Sequence, residues 1–275
     1  MSIYGSIKPP FRTALNRQHP LAQGLVSMWN FSEGCGDLVH DSCGMNDGKM
    51  IGMAPFSGTS GWVPGPHGAA LAFDGSNDYA IKDDNAVLRL TTTGTLSARF
   101  MLAADAGTND FRGIISKRGG DVTMPQYEYC MEVIKSTGNK LNIEIGNGAT
   151  IQSLMSLTSL LINVWYRAAF VWNAGVWIIY VNGILDNSAS GKINCQAATN
   201  PLYIGRRATT QTVGYAGFFN GLISSVSIYN RALSAQEIAY LYAFPWCMYD
   251  SPMSTWEYNQ QNRNFDHYYR RLMAA

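Results

Sequence analysis

Trp165-Tyr166-Arg167-Ala168-Ala169-Phe170-Val171-Trp172 is followed by Asn173-Ala174-Gly175, by Val176-Trp177-Ile178-Ile179-Tyr180-Val181, and by Asn182-Gly183. Side chains alternate across a strand, so Tyr166, Ala168, Phe170 and Trp172 share one face. Trp165, Arg167, Ala169 and Val171 share the other. Both sets are apolar enough to predict a strand covered on both sides. Asn173–Gly175 reads as a hairpin turn, and Asn182-Gly183 as a type I′ turn, because both of its residues accept positive φ.

The same grammar extends outward. Leu141–Ile145 followed by Gly146-Asn147-Gly148 is again strand then turn. Leu222–Tyr229 predicts a strand with Leu222, Ser224, Val226 and Ile228 on one face. Ile223, Ser225, Ser227 and Tyr229 fall on the other. One helix is signalled: Ser234-Ala235-Gln236-Glu237 is a capping box. Leu233 and Ile238 form its hydrophobic staple, Ile238, Leu241 and Tyr242 share one face, and Pro245 ends it. A single short helix after a long β run makes the class all-β.

The 275 residues divide into three zones. Residues 1–23 predict an extended arm, because Pro9-Pro10 and Pro20 forbid helix locally. Residues 24–244 carry the strand signals. Residues 245–275 predict an aromatic-rich C-terminal arm with Trp246, Trp256, Tyr258, Phe265, Tyr268 and Tyr269. Left free, the arms expose Phe11 and Trp246 along with these rings. Tyr and Trp are frequent interface anchors, so the arms are expected to dock on other subunits, with folding back onto their own sandwich as the alternative.

Charged residues make up 14% of the chain, against about 25% in average usage. The net charge of +1 gives no electrostatic case for nucleic acid or an anionic membrane. No stretch reaches the roughly 18 apolar residues of a membrane span. The N-terminus lacks the apolar core of a secretory signal. Of the five cysteines, Cys35 and Cys43 flank a short loop and either pair when oxidised or remain free thiols.

Leu25-Val26-Ser27-Met28-Trp29-Asn30-Phe31-Ser32-Glu33-Gly34 with Asp41–Gly48 resembles the opening of laminin-G-like, concanavalin A-like lectin domains. Ala70–Tyr79, the hairpin Trp165–Gly183, and Gly221–Ile238 resemble the later strands and closing helix of that family, in order. The resemblance implies a two-sheet antiparallel jelly-roll sandwich with one short C-terminal helix. The lead-in, Lys8-Pro9-Pro10, Leu15-Asn16-Arg17 and His19-Pro20-Leu21-Ala22, resembles laminin-G-like proteins of tailed phages, as does Leu241–Trp246. It implies a virion component assembled in the host cytoplasm.

In many members of the family a structural Ca²⁺ lies between the opening and closing strands. Glu33 and Asp41 match ligand positions there. Ser32 and Ser224-Ser225 stand where acidic residues are common, which weakens the site. The expectation is no cofactor, with calcium at Glu33 and Asp41 as the alternative. Asp74, Asp78, Asp83 and Asp84 form a second oxygen-rich patch, explained more simply as turn residues.

Laminarinase-type enzymes on this fold carry a Glu-x-Asp-x-Glu-like run on one strand. The nearest sequence is Glu128-Tyr129-Cys130-Met131-Glu132. Its two acids share a face by period two, but Cys130 fills the central position, and solvent-facing acids are the simpler reading. With only four histidines, in arms and loops, and no Gly-x-Ser-x-Gly elbow, no nucleophilic constellation emerges. The chain is expected not to be an enzyme. Trp62, Tyr79, Tyr127, Asn147 and Tyr215 are candidate sugar contacts, each also explicable as a buried or interface residue.

The function expected is a non-enzymatic phage surface protein, a capsid decoration or fibre-associated subunit. Its partners are other virion proteins or its own copies, reached through the arms, and cell-surface glycans. A stand-alone lectin is the alternative, and a glycoside hydrolase the next.

Overall fold

The computed structural model of this chain describes residues 8–53, 58–104, 110–119, 127–208 and 217–249. In chain order its strands are β1 (Leu25–Trp29), β2 (Leu38–Val39), β3 (Gly48–Ile51), β4 (Gly61–Gly65), β5 (Gly68–Asp74), β6 (Tyr79–Lys82), β7 (Thr93–Leu102) and β8 (Phe111–Arg118). They continue with β9 (Tyr127–Ile134), β10 (Lys140–Gly146), β11 (Ile151–Ser159), β12 (Trp165–Asn173), β13 (Val176–Val181), β14 (Ile184–Ala189), β15 (Leu202–Ile204) and β16 (Asn220–Tyr229). The helix α1 spans Ala235–Ala243.

Two antiparallel sheets of eight strands result, the architecture of a concanavalin A-like sandwich. The first runs β14-β13-β12-β7-β16-β5-β4, with β1 also paired to β16. The second runs β11-β10-β9-β8-β15-β6-β3-β2. Their inner faces enclose the main core, which includes Phe73, Leu96, Phe100, Tyr129, Met131, Ile143, Phe170, Trp172 and Trp177.

The hairpins follow the sequence closely. Asn173 faces Val176 across the β12–β13 turn. Ala174 and Gly175 have φ of 46° and 84°, and Asn182 and Gly183 have φ of 52° and 81°. Positive φ at both central residues matches the right-handed twist of the flanking strands. Strand β12 is covered on both sides. Ala168, Phe170 and Trp172 enter the main core, while Ala169 and Val171 join a second cluster.

That second cluster backs the first sheet. It contains Leu21, Met28, Leu233, Ile238, Leu241, Trp246 and Met248. The capping box forms as read: Ser234 Oγ accepts from the Glu237 amide at 3.2 Å, and Glu237 accepts from the Ser234 amide at 2.8 Å. The described parts of both terminal zones lie on this face. Leu15 bridges to Tyr249, and the Asn16 amide donates to the Met248 carbonyl at 2.8 Å. Trp246 is buried here. Trp256, Phe265 and the later tyrosines lie outside the described residues.

One alternation fails. Ile223 shares the main core with Val226 and Ile228, so Leu222–Tyr229 does not keep a single phase. The register against β7 shifts between Ile223, opposite Phe100, and Ser225, opposite Arg99. The extra residue Ser224 is a β-bulge, which moves every later side chain to the opposite face. Cys35 is exposed and Cys43 buried, both as free thiols.

Candidate functional site

The outer face of the first sheet is covered by α1 and the described terminal segments. The outer face of the second sheet carries polar and aromatic chemistry. One cross-strand row runs Leu38, Lys49, Ile81, Tyr203, Ser116, Cys130, Glu144 and Ser153, from β2 to β11. On β15 the neighbours of Tyr203, Leu202 and Ile204, point into the core, so Tyr203 points out.

Around Tyr203 the chain assembles an aromatic seat for an arginine. The Arg206 guanidinium lies 5.0 Å from the Tyr79 ring, 5.5 Å from Tyr203 and 5.2 Å from Phe218. Tyr79 also packs against Tyr203 and Phe218, at 5.9 and 6.3 Å between ring centroids. The Arg206–Phe218 bridge brings these pieces together. All four side chains are half-buried. Among the described residues Arg206 has no carboxylate partner, and its buried Nε has no hydrogen-bond acceptor. Ring faces accept the C–H side of a sugar, and a guanidinium fork accepts a carboxylate or paired hydroxyls.

Beside it lies a denser ionic network. Arg207 sits over the Phe111 ring at 4.1 Å and pairs with Glu132 at 3.2 Å and Glu144 at 3.1 Å. Arg118 lies 3.9 Å over the Tyr127 ring and 3.7 Å from Glu144, and Tyr127 Oη donates to Glu144. Burial lowers the Arg118 guanidinium from its usual range and raises the Cys130 thiol to about 12.

The two acids of the Glu128–Glu132 run do not share a face, and neither faces solvent. Both are fully buried. In the β8–β9 register Lys117 faces Tyr129 and Arg118 faces Tyr127, so Glu128 is an extra, bulged residue. It turns to Lys117 at 2.8 Å and to Asn200 at 3.2 Å. Glu132 goes to Arg207 and to Asn142, which donates at 3.0 Å. Among the described residues the carboxylates share no partner. Burial raises the Glu128 carboxyl, opposed by Lys117.

The other candidates have structural work. Trp62 is in the core, with its Nε1 donating to the Gly36 carbonyl at 2.9 Å. Asn147 Oδ1 accepts from the amides of Ala149 and Thr150 in a turn. Asp74 accepts from the Ser76 and Asn77 amides, and Asp78 from the Asp74 amide. Asp84 pairs with Arg89 and Lys117. Tyr79 and Tyr127 lie on the outer face just described, and Tyr215 lies outside the described residues. Arg206, Tyr203 and Phe218 were not among the sequence candidates. The Arg206-Arg207 pair in a charge-poor chain was the one available signal.

The calcium candidates are dispersed in use. Asp41 accepts from four backbone amides, those of Met28, Cys43, Met45 and Asn46. Glu33 accepts from the His40 amide at 2.6 Å, and its buried Oε2 has no hydrogen-bond partner. Between the opening and closing strands sits the Lys8 amine. It donates to the carbonyls of Ser224 at 2.8 Å, Phe31 at 3.4 Å and Ala69. Burial lowers this amine to about 7, with Glu33 pulling the other way. Among the described residues no group of three or more His, Cys, Asp or Glu side chains could hold a metal ion. Calcium takes about six to eight oxygens, and this donor set does not fit it.

A cleft of about 320 Å³ opens nearby, between Phe11, Glu33, His40, Asp47 and Tyr249. His40 contacts Asp47 at 3.2 Å, but the adjacent Ser42 hydroxyl is bonded to Tyr249 and not to the imidazole. Among the described residues no nucleophile–base couple forms there.

The family described as the concanavalin A-like lectin/glucanases superfamily matches residues 74–239. No curated protein matches the sequence. Among solved structures, the binding domain of Paraclostridial Mosquitocidal Protein 1 superposes with a TM-score of 0.59 at 16% identity, covering 81% of this chain and 52% of that one. Domain 4 of AbnA, a GH43 extracellular arabinanase from Geobacillus stearothermophilus solved with arabinotriose, gives 0.57 at 18% identity, covering 79% of this chain and 97% of that one. Trypanosoma rangeli sialidase gives 0.55 at 16% identity, covering 83% of this chain and 34% of that one. The chain thus spans about half of the toxin domain, a third of the sialidase and nearly all of the arabinanase domain. At these identities the likeness is one of fold.

Proposed function

We propose, from the premise that this chain belongs to the concanavalin A-like lectin/glucanases superfamily, that it binds glycans without cleaving them, through the outer face of its second sheet. The preferred ligand is a sugar bearing a carboxylate. The observation that carries this reading is Arg206, seated on Tyr79, Tyr203 and Phe218 with no carboxylate partner among the described residues. The trisaccharide held by the arabinanase domain lends support from a protein of the same fold. The non-catalytic part rests on Glu128 and Glu132. Each is buried and held by a different cation, which leaves no acid–base pair across one bond. Hydrolysis of β-glucans that Glu132→Gln abolishes would overturn it.

This sandwich is proposed to serve on a virion surface, as a capsid decoration or fibre-associated subunit contacting virion proteins or its own copies. The support is the resemblance of the lead-in Lys8–Ala22 and of Leu241–Trp246 to phage proteins. Mass spectrometry of purified particles tests it. The chain is expected at a fixed copy number, and its absence from particles that carry their other structural proteins contradicts the assignment.

A further inference from the structure

We infer that the Lys8 ammonium is a built-in cation, occupying the gap between the opening strand β1 and the closing strand β16 where a metal ion would otherwise be needed. The gap arises from the sheet itself. Strands β5 and β1 pair with the same edge of β16, one after the other. The β5 ladder ends at Ile223, opposite Leu71. The β1 ladder begins at Val226, opposite Trp29. Neither strand pairs with Ser224 or Ser225, and the bulge leaves Ser224 out of the β7 register as well.

Backbone carbonyls stranded in such a gap must find a donor or a cation. Those of Ser224, Ala69 and Phe31 come from three distant segments and converge on one atom, Lys8 Nζ. Lys8 is only 5% exposed. Its backbone amide donates to the His67 carbonyl at 3.0 Å, and its ammonium lies 5.8 Å from the Trp246 ring. Among the described residues the only acidic influence on it is Glu33, which forms no direct ion pair with it, while Arg99 and Arg167 act against its charge. Three neutral oxygens with one remote carboxylate suit a single positive charge with three donors. They are too few and too weakly charged for calcium. The segment bearing Lys8 is therefore a structural strap, and the fold carries its own cation.

The test uses the whole chain at about pH 6, where the amine holds its proton. Thermal unfolding of the wild type is expected to be the same in excess EDTA and in millimolar CaCl₂. A Tm raised by calcium, or stoichiometric calcium binding by calorimetry, overturns the inference. Brief acetylation of the native protein followed by peptide mapping is expected to spare Lys8 and the buried Lys117 while modifying the exposed Lys49. Lys8 modified as fast as Lys49 overturns it. Lys8→Met keeps the stem and strands the three carbonyls, and should lower Tm by about 4 °C or more. An unchanged Tm overturns the inference. The wild-type measurements decide the matter where Lys8→Met does not fold.

Discussion

Lys117 and Glu128 meet at 2.8 Å with both side chains wholly removed from solvent. Lys117 also reaches Asp84 at 2.8 Å and the Asn200 carbonyl at 2.8 Å, so its three ammonium hydrogens are fully used. Removing one member leaves an uncompensated buried charge. Lys117→Met should cost about 3–5 kcal/mol in denaturant unfolding, and the double change Lys117→Met with Glu128→Leu markedly less. A single substitution costing under about 1 kcal/mol contradicts this reading of the pair.

Glu237 gives the expected pH response. Burial pushes its carboxyl up, but the Arg231 fork at 2.7 and 2.9 Å and the Ser234 amide outweigh it, holding it below its usual 4.5. A depressed carboxyl stabilises the fold fully above its unfolded value and loses that contribution as pH falls through the folded value. The stability gap between wild type and Glu237→Gln should therefore be constant above about pH 5 and shrink on acidification below it. A gap that persists undiminished to about pH 2 refutes the assignment.

Trp246 is 2% exposed, packed beside Leu21, Ile238 and Met248. Trp246→Ala should cost about 3–5 kcal/mol, the range for a buried large aromatic. A surface-like loss below about 0.5 kcal/mol would return this residue to the role of an exposed docking anchor.

Gly113 is where β8 meets the backbone carrying the two arginines. A Cβ there would lie 2.2 Å from the Arg207 nitrogen and 2.3 Å from the Arg206 carbonyl carbon. Gly113→Ala must push this backbone away, so it should lower both Tm and glycan affinity. Wild-type affinity in this variant contradicts the idea that the Arg206–Arg207 placement matters.

These sites differ in how far the sequence reveals them. The capping box at Ser234 and Glu237 and the turns at Ala174-Gly175 and Asn182-Gly183 are local, and local chemistry specifies them. The bulges at Glu128 and Ser224 are not local. Period-two reading puts Glu128 beside Glu132 and Ile223 opposite Val226, and one extra residue in each strand undoes both. Arg206 escapes because its seat draws on Tyr79, Tyr203 and Phe218, which the β15–β6 pairing and the Arg206–Phe218 bridge bring together. Lys8 escapes because its partners are backbone carbonyls, which leave no trace in residue type. The resemblance points to the space between the opening and closing strands through Glu33 and Asp41, whose oxygens mostly serve nearby amides.

Arg206 on its aromatic seat is proposed to recognise an acidic glycan. The most direct measurement is glycan-array binding followed by calorimetry on the best ligand, for wild type and Arg206→Ala. Carboxylate-bearing glycans should bind in preference to their neutral counterparts. Arg206→Ala should lose at least about tenfold in affinity, or 1.4 kcal/mol, with Tm within a few degrees of wild type. No glycan bound, or equal affinity in the variant, would contradict it.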